Sequence, residues 1–188
     1  MKSSFRSIYL KGVFFLCLCI PALQGAETVL VPVEAEWKYV TGAQEASSPD
    51  AGAWRSLEFD DSAWIVSPAA FGYGEPQLGT DLAQLDPPMR RNYTSIFLRR
   101  TFEVAALEDL ESYELSALYD DGFIVWINGL EVLRVNMEGD PGDPVSIEDD
   151  ALRSHEAREV ETLLITDIRN YVNVGTNQLA IQAFNVSL

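Results

Sequence analysis

Between residues 112 and 135 the chain alternates short apolar runs with turn signals. SYELSALY (112–119), FIVWI (123–127) and LEVLRV (130–135) are separated by Asp-Asp-Gly and Asn-Gly. Runs of this length, rich in β-branched and aromatic residues and bounded by turn residues, predict strands. Further runs of the same kind are TVLVPV (28–33), WKYV (37–40), SIFLRRTFEV (95–104), EVETLLIT (159–166) and NQLAIQAF (177–184). Helical periodicity is absent over any useful length, although DIRNYVNVG (167–175) has room for one helical turn. Many short strands predict an all-β antiparallel sandwich or barrel. Two stretches, 41–94 and 138–158, are long for plain connectors and rich in turn residues or acids, as functional or decorated loops are.

Asn128-Gly129 suits a two-residue turn in which both residues take positive φ. A regular ladder from that turn sets Ile127 against Leu130, Trp126 against Glu131, Val125 against Val132, Ile124 against Leu133 and Phe123 against Arg134. Side chains alternate between faces, so Phe123, Val125, Ile127, Leu130 and Val132 form the expected core face. Ile124, Trp126, Glu131 and Leu133 form the other. An aromatic ring beside a carboxylate is a platform on which a sugar can stack and hydrogen-bond. The bland alternative is that loop 138–158 folds over Trp126. In SIFLRRTFEV, Arg100 falls on the apolar face of Ile96, Leu98, Phe102 and Val104, so an ion pair is expected to hold it.

Composition narrows the picture. Lys2, Arg6 and Lys11 precede the apolar run VFFLCLCI (13–20), and small residues follow Pro21. Residues 1–25 therefore read as a secretory signal peptide cleaved after Gly25 or Ala26. Residues 26–188 read as one domain, secreted to the extracellular space or periplasm. No second apolar stretch is long enough to span a membrane. Both cysteines, Cys17 and Cys19, lie in the leader, so the mature domain must be held by its core without disulfides. The whole chain carries 13 basic and 29 acidic side chains. Loss of the three leader cations leaves 10 against 29, a net charge of −19. That argues against nucleic acid, whose phosphates need a basic surface. Such acidity serves solubility, or calcium, which takes carboxylate oxygens. His155, the single histidine, reads as an exposed loop residue, and no Ser-His-Asp arrangement or marked carboxylate pair points to an enzyme.

Read in order, WKY, FDDSAW (59–64), FGYG (71–74), FLRRTF (97–102), YDDGFIVWINGLEVLRVNM (119–137) and GTNQLAIQAFN (175–185) resemble a family of galactose-binding-domain-like jelly rolls in secreted multidomain proteins of bacteria. The likeness covers most of residues 36–185. It implies a jelly-roll β-sandwich with a non-catalytic role, either carbohydrate binding and adhesion or a structural spacer beside neighbouring domains of a larger secreted protein. A glycoside-active enzyme is the minor alternative. The candidate carbohydrate-binding residues are Trp126, Glu131, Tyr73, Arg134 and Asn136, with a polysaccharide or glycan as partner. Asp120-Asp121-Gly122 is similar to the aspartate pair of flocculin-type adhesins, which implies calcium at Asp120 and Asp121, with Asn136 able to add an amide oxygen. In FDDSAW, Asp61 or Ser62 is expected to cap a turn anchored by Trp54, Phe59 and Trp64. The resemblance also implies one more strand after FNVSL, so the domain is expected to lack its last strand.

Overall fold

The computed structural model describes residues 15–21, 27–76, 78–107 and 113–188. Twelve strands run through them: β1 Phe15–Pro21, β2 Glu27–Val31, β3 Glu36–Thr41, β4 Ile65–Pro68, β5 Phe71–Gly72, β6 Thr80–Asp81, β7 Ser95–Val104, β8 Tyr113–Leu118, β9 Gly122–Ile127, β10 Leu130–Val135, β11 Glu161–Ile165 and β12 Gly175–Phe184. Three single turns of 3-10 helix accompany them, one at Ile168–Asn170, where the sequence leaves room for a helical turn. Among the described residues no helix is long and apolar enough to cross a membrane.

The fold is an all-β sandwich of the jelly-roll class. A six-stranded antiparallel sheet has the order β10-β9-β12-β7-β3-β4, and a four-stranded sheet has the order β11-β8-β1-β2. Strand β12 is the spine of the larger sheet. It pairs along its whole length with β7, from Gly175 against Val104 to Phe184 against Ser95, and on its other side with β9. Alternation along β7 explains the two cores. Ile96, Leu98, Phe102 and Val104 face the four-stranded sheet, packing with Tyr113, Leu115, Val125, Ile127 and Ile181. Phe97 faces the other way and joins Trp54, Trp64, Ile124, Trp126 and Phe184. This second core is roofed by the two long connections, which contribute Trp54 and Trp64 from one and Val145 and Ala151 from the other.

The run expected to be a leader forms β1. Its backbone pairs antiparallel with β8, Phe15 against Leu118 through Cys19 against Glu114, and antiparallel with β2 on its other side. The apolar run read as a leader segment is therefore a strand in this structure, whereas the leader cations and the cleavage position lie outside the described residues.

The hairpin turn is as expected, with φ of 51° at Asn128 and 86° at Gly129. The ladder beyond it is not. A bulge between Glu131 and Leu133 leaves Val132 unpaired and shifts the partners, so that Leu133 faces Val125, Arg134 faces Ile124 and Val135 faces Phe123. A regular ladder would have put the Arg134 guanidinium into the main core. The extra residue moves it to the face of Glu131. Leu130 is also misassigned by the regular pattern: at the hairpin tip it is 53% exposed.

Candidate functional site

Trp126 is not an exposed platform. It is 2% exposed, edge-on to Trp54 at 5.5 Å between centroids, with the Arg55 guanidinium 4.2 Å from its ring centroid. Burial lowers the pKa of that guanidinium, and Glu131, Asp50 and Glu45 oppose the effect. The expected carboxylate neighbour is present but engaged. Both oxygens of Glu131 accept from Arg134, at 2.9 Å each, and the two side chains are each 5% exposed. Arg134 also donates to the Glu138 and Asp143 carbonyls, and Glu131 accepts the Gly142 amide. The bulge creates this pair, and the pair holds loop 138–158 over the tryptophan. A ring without open faces cannot stack on a sugar, so the structure gives Trp126, Glu131 and Arg134 a packing role.

The aspartates of Asp120-Asp121-Gly122 sit where β8 passes into β9. Asp121 is 5% exposed. One carboxylate oxygen accepts the His155 amide and the other the Val186 amide, both at 2.7 Å. Its own backbone donates to Phe184 and accepts from the Asn136 side chain. One residue thus ties together four chain segments. Both carboxylate oxygens already accept a short charge-assisted bond, and Asn136 turns its amide nitrogen to the Asp121 and Arg153 carbonyls. Among the described residues no three His, Cys, Asp or Glu side chains converge as a metal site. The Asp121 carboxylate is thus engaged within the fold, while the buried Asn136 Oδ1 has no hydrogen-bond partner. Gly122 is required by close approach: a Cβ there would lie 3.0 Å from the Asn136 carbonyl oxygen. Tyr73 is half-buried, its hydroxyl accepting from Asn185. The hollow beside it holds about 20 Å³, room for about one water and none for a sugar ring.

His155 is less idle than the sequence suggests. Its Nε2 lies 2.8 Å from Glu161 Oε1 and its Nδ1 3.1 Å from the Tyr119 carbonyl, while the ring stacks on Tyr119 at 4.2 Å. Burial first, then the Glu161 carboxylate, pushes the Tyr119 hydroxyl up to about 12. The cluster ties loop 138–158 to β11.

The buried cation of the FLRRTF motif is Arg99, not Arg100. Arg99 is 2% exposed. It donates to Asp61 at 2.8 Å, to Gln178 at 2.9 Å, and to the Trp54 and Ser56 carbonyls. Arg100 lies half-exposed and donates to the Glu36 carbonyl rather than to an acid. Lys38 completes the group, 2.5 Å from the second Asp61 oxygen. Burial alone would raise the Asp61 pKa, but hydrogen bonds from Lys38 and Arg99 outweigh it and hold the carboxyl below its usual range. The turn cap expected of Asp61 or Ser62 is supplied by Asp60, whose carboxylate accepts the Ser62 amide. Trp54, Phe59 and Trp64 do anchor the turn, within 6.2 Å of one another in ring pairs.

Larger openings are lined by other described residues. A cleft of about 340 Å³ lies over this group, between Lys38, Arg100, Leu57 and Val66. A groove of about 550 Å³ lies in the acidic loop, lined by Glu138, Asp143, Glu148, Asp149 and Asp150. No family model and no curated protein matches the chain. Among solved structures it is similar to the β-glucuronidase of Bifidobacterium dentium complexed with coumarin-3-O-glucuronide, with a TM-score of 0.47 and 16% identity. The match covers 82% of this chain and 20% of that one, so the chain spans about a fifth of the enzyme's length.

Proposed function

We propose that the chain is a non-catalytic β-sandwich module of an exported protein, acting as a structural spacer or cap for neighbouring domains. The observation that carries this reading is the covering of both faces of the six-stranded sheet, one by the four-stranded sheet and the other by the loops over Trp126. An open concave face would have favoured binding. The polar residues that look chemical, Asp121, Glu131, Arg134 and Arg99, spend their hydrogen bonds on chain segments of this fold, as does the Asn136 amide nitrogen.

A second reading, carbohydrate binding, is favoured by one feature, the cleft between Lys38 and Arg100. Its volume falls in the ~300–1,000 Å³ range of ligand pockets, with Leu57 and Val66 as apolar walls. A glycan array probed with and without calcium separates the two. The spacer reading expects no glycan to be retained. A glycan bound by the wild type and lost in Arg100→Ala would overturn it in favour of the cleft.

A further inference from the structure

The ladder between β3 and β7 ends before β7 does. Its partners run from Thr41 against Ile96 to Lys38 against Arg99. Past that point β7 continues through Arg100 and Thr101, which pair on the other side with Leu179 and Gln178 of β12. The cleft of about 340 Å³ opens beside this unpaired stretch, with Leu57 and Val66 as apolar walls. In a chain of net charge −16, it gathers Lys38, Arg99 and Arg100 against only the carboxylates of Glu36 and Asp61. Asp61 is shared, one oxygen bonded to Lys38 and the other to Arg99, so a single negative charge serves two cations. Arg99 is closed to a ligand, its donors spent on Asp61, Gln178 and the Trp54 and Ser56 carbonyls. Lys38 is open: its side chain is 41% exposed, and an ammonium has two donors beyond the Asp61 bond. Arg100 is anchored by Nη1, which donates to the Glu36 carbonyl. Its Nε is buried without a hydrogen-bond partner, and no acid among the described residues pairs with its guanidinium. An unpaired donor on a charged group is costly. Nε with Nη2 is the edge by which Arg134 grips both oxygens of Glu131, and it is the fork that a carboxylate matches.

We propose that this cleft is a binding site for a small organic carboxylate, whose oxygens bridge Lys38 Nζ and the Nε–Nη2 edge of Arg100 while its carbon body lies against Leu57 and Val66. Nε is closed to water in the unliganded arrangement. The first contact is therefore Nη2 beside Lys38, and a small turn of the half-exposed head completes the fork. A neutral ligand would leave both cations without a counter-charge. The site rests on the cleft that favours carbohydrate binding and adds the charge of what enters it. A free acid seated there leaves both faces of the six-stranded sheet covered, as the spacer role requires.

The test titrates the full chain with galacturonate, galactose, succinate and inorganic phosphate, and reads the amide chemical shifts of Lys38, Leu57, Val66 and Thr101. The expected result is saturable shifts with galacturonate at millimolar concentration, at least tenfold tighter than with galactose, which differs from it in lacking the carboxylate. Succinate separates the sources of that carboxylate: binding equal to galacturonate assigns a free organic acid, and tenfold weaker binding assigns an acidic sugar. Arg100→Gln and Lys38→Gln should each weaken galacturonate at least tenfold. Val66→Trp, at a position 55% exposed, fills the cleft without changing its charge and should abolish the shifts, which keeps the test decisive if a charge variant fails to fold. Galactose binding as tightly as galacturonate overturns the proposal and leaves the carbohydrate reading standing. Phosphate binding as tightly, or undiminished binding in Arg100→Gln, overturns it as well. No shift with either acid does the same, and the glycan array then decides the carbohydrate reading by itself.

Discussion

Asp61 shows how one carboxylate can be chemically conspicuous and yet structural. It accepts from Arg99 and Lys38, and Arg99 in turn holds the Trp54 and Ser56 carbonyls of the loop that roofs the second core. Its folded pKa is depressed, so the unfolded chain binds the proton more readily. The stability it contributes is therefore present above the ordinary carboxylate pKa and is lost as pH falls through the lower, folded value. Denaturant melts from pH 7 to pH 2 should show wild type losing more stability than Asp61→Asn below about pH 4. Parallel curves would mean that Asp61 does not carry the acid sensitivity. The sequence reading put a cap at Asp61 or Ser62 and an ion pair at Arg100. Arg99 took the ion pair because burial at consecutive β7 positions alternates between the two cores, and Asp60 took the cap through its bond from the Ser62 amide.

The hairpin β9–β10 is the element on which the second core depends. Its bulge carries Arg134 from the Phe123 side to the Glu131 side, and the resulting buried pair fastens the acidic loop. Removing one member leaves a charge without its partner, at a cost of about 3–5 kcal/mol. Replacing both by apolar residues of similar size avoids that penalty. Equilibrium unfolding should show Arg134→Met strongly destabilised and the double change Glu131→Leu with Arg134→Met recovering most of the loss. A double variant no more stable than the single one contradicts the pairing. The turn itself was readable, since Asn-Gly is a local signal. The bulge was not, because it answers to a partner strand and to a loop that a local pattern does not contain.

At the scale of the whole molecule, two cores sandwich one six-stranded sheet, with no cysteine after Cys19 to staple them. Stability then rests on burial, and the two residues flanking the hairpin turn test where burial ends. Ile127 is fully buried and Leu130 is 53% exposed. Truncation of Ile127 to alanine should cost about 2–4 kcal/mol, and that of Leu130 within about 0.5 kcal/mol, by urea titration. Comparable losses at both positions would place the core boundary beyond the turn. The short strands β4, β5 and β6 within residues 41–94 escaped the sequence reading because two- to four-residue pairings leave no periodicity to detect.

By itself the sequence determined the class of fold and most of its long strands, because alternation with period two and Asn-Gly or Asp-Asp-Gly punctuation are local consequences of pleat and turn geometry. It also identified Phe123, Val125 and Ile127 as core, since every second residue of a strand shares a face. Only the tertiary structure decided which polar groups are exposed. Trp126, Asp121, Glu131 and Asn136 look like a binding set in a string of letters. Their availability depends on residues far along the chain: Trp54 and Arg55 beside the ring, and Val186 on Asp121, the last pair 65 positions apart. Burial is a property of the assembled sheets and loops, and no window along the chain contains both partners.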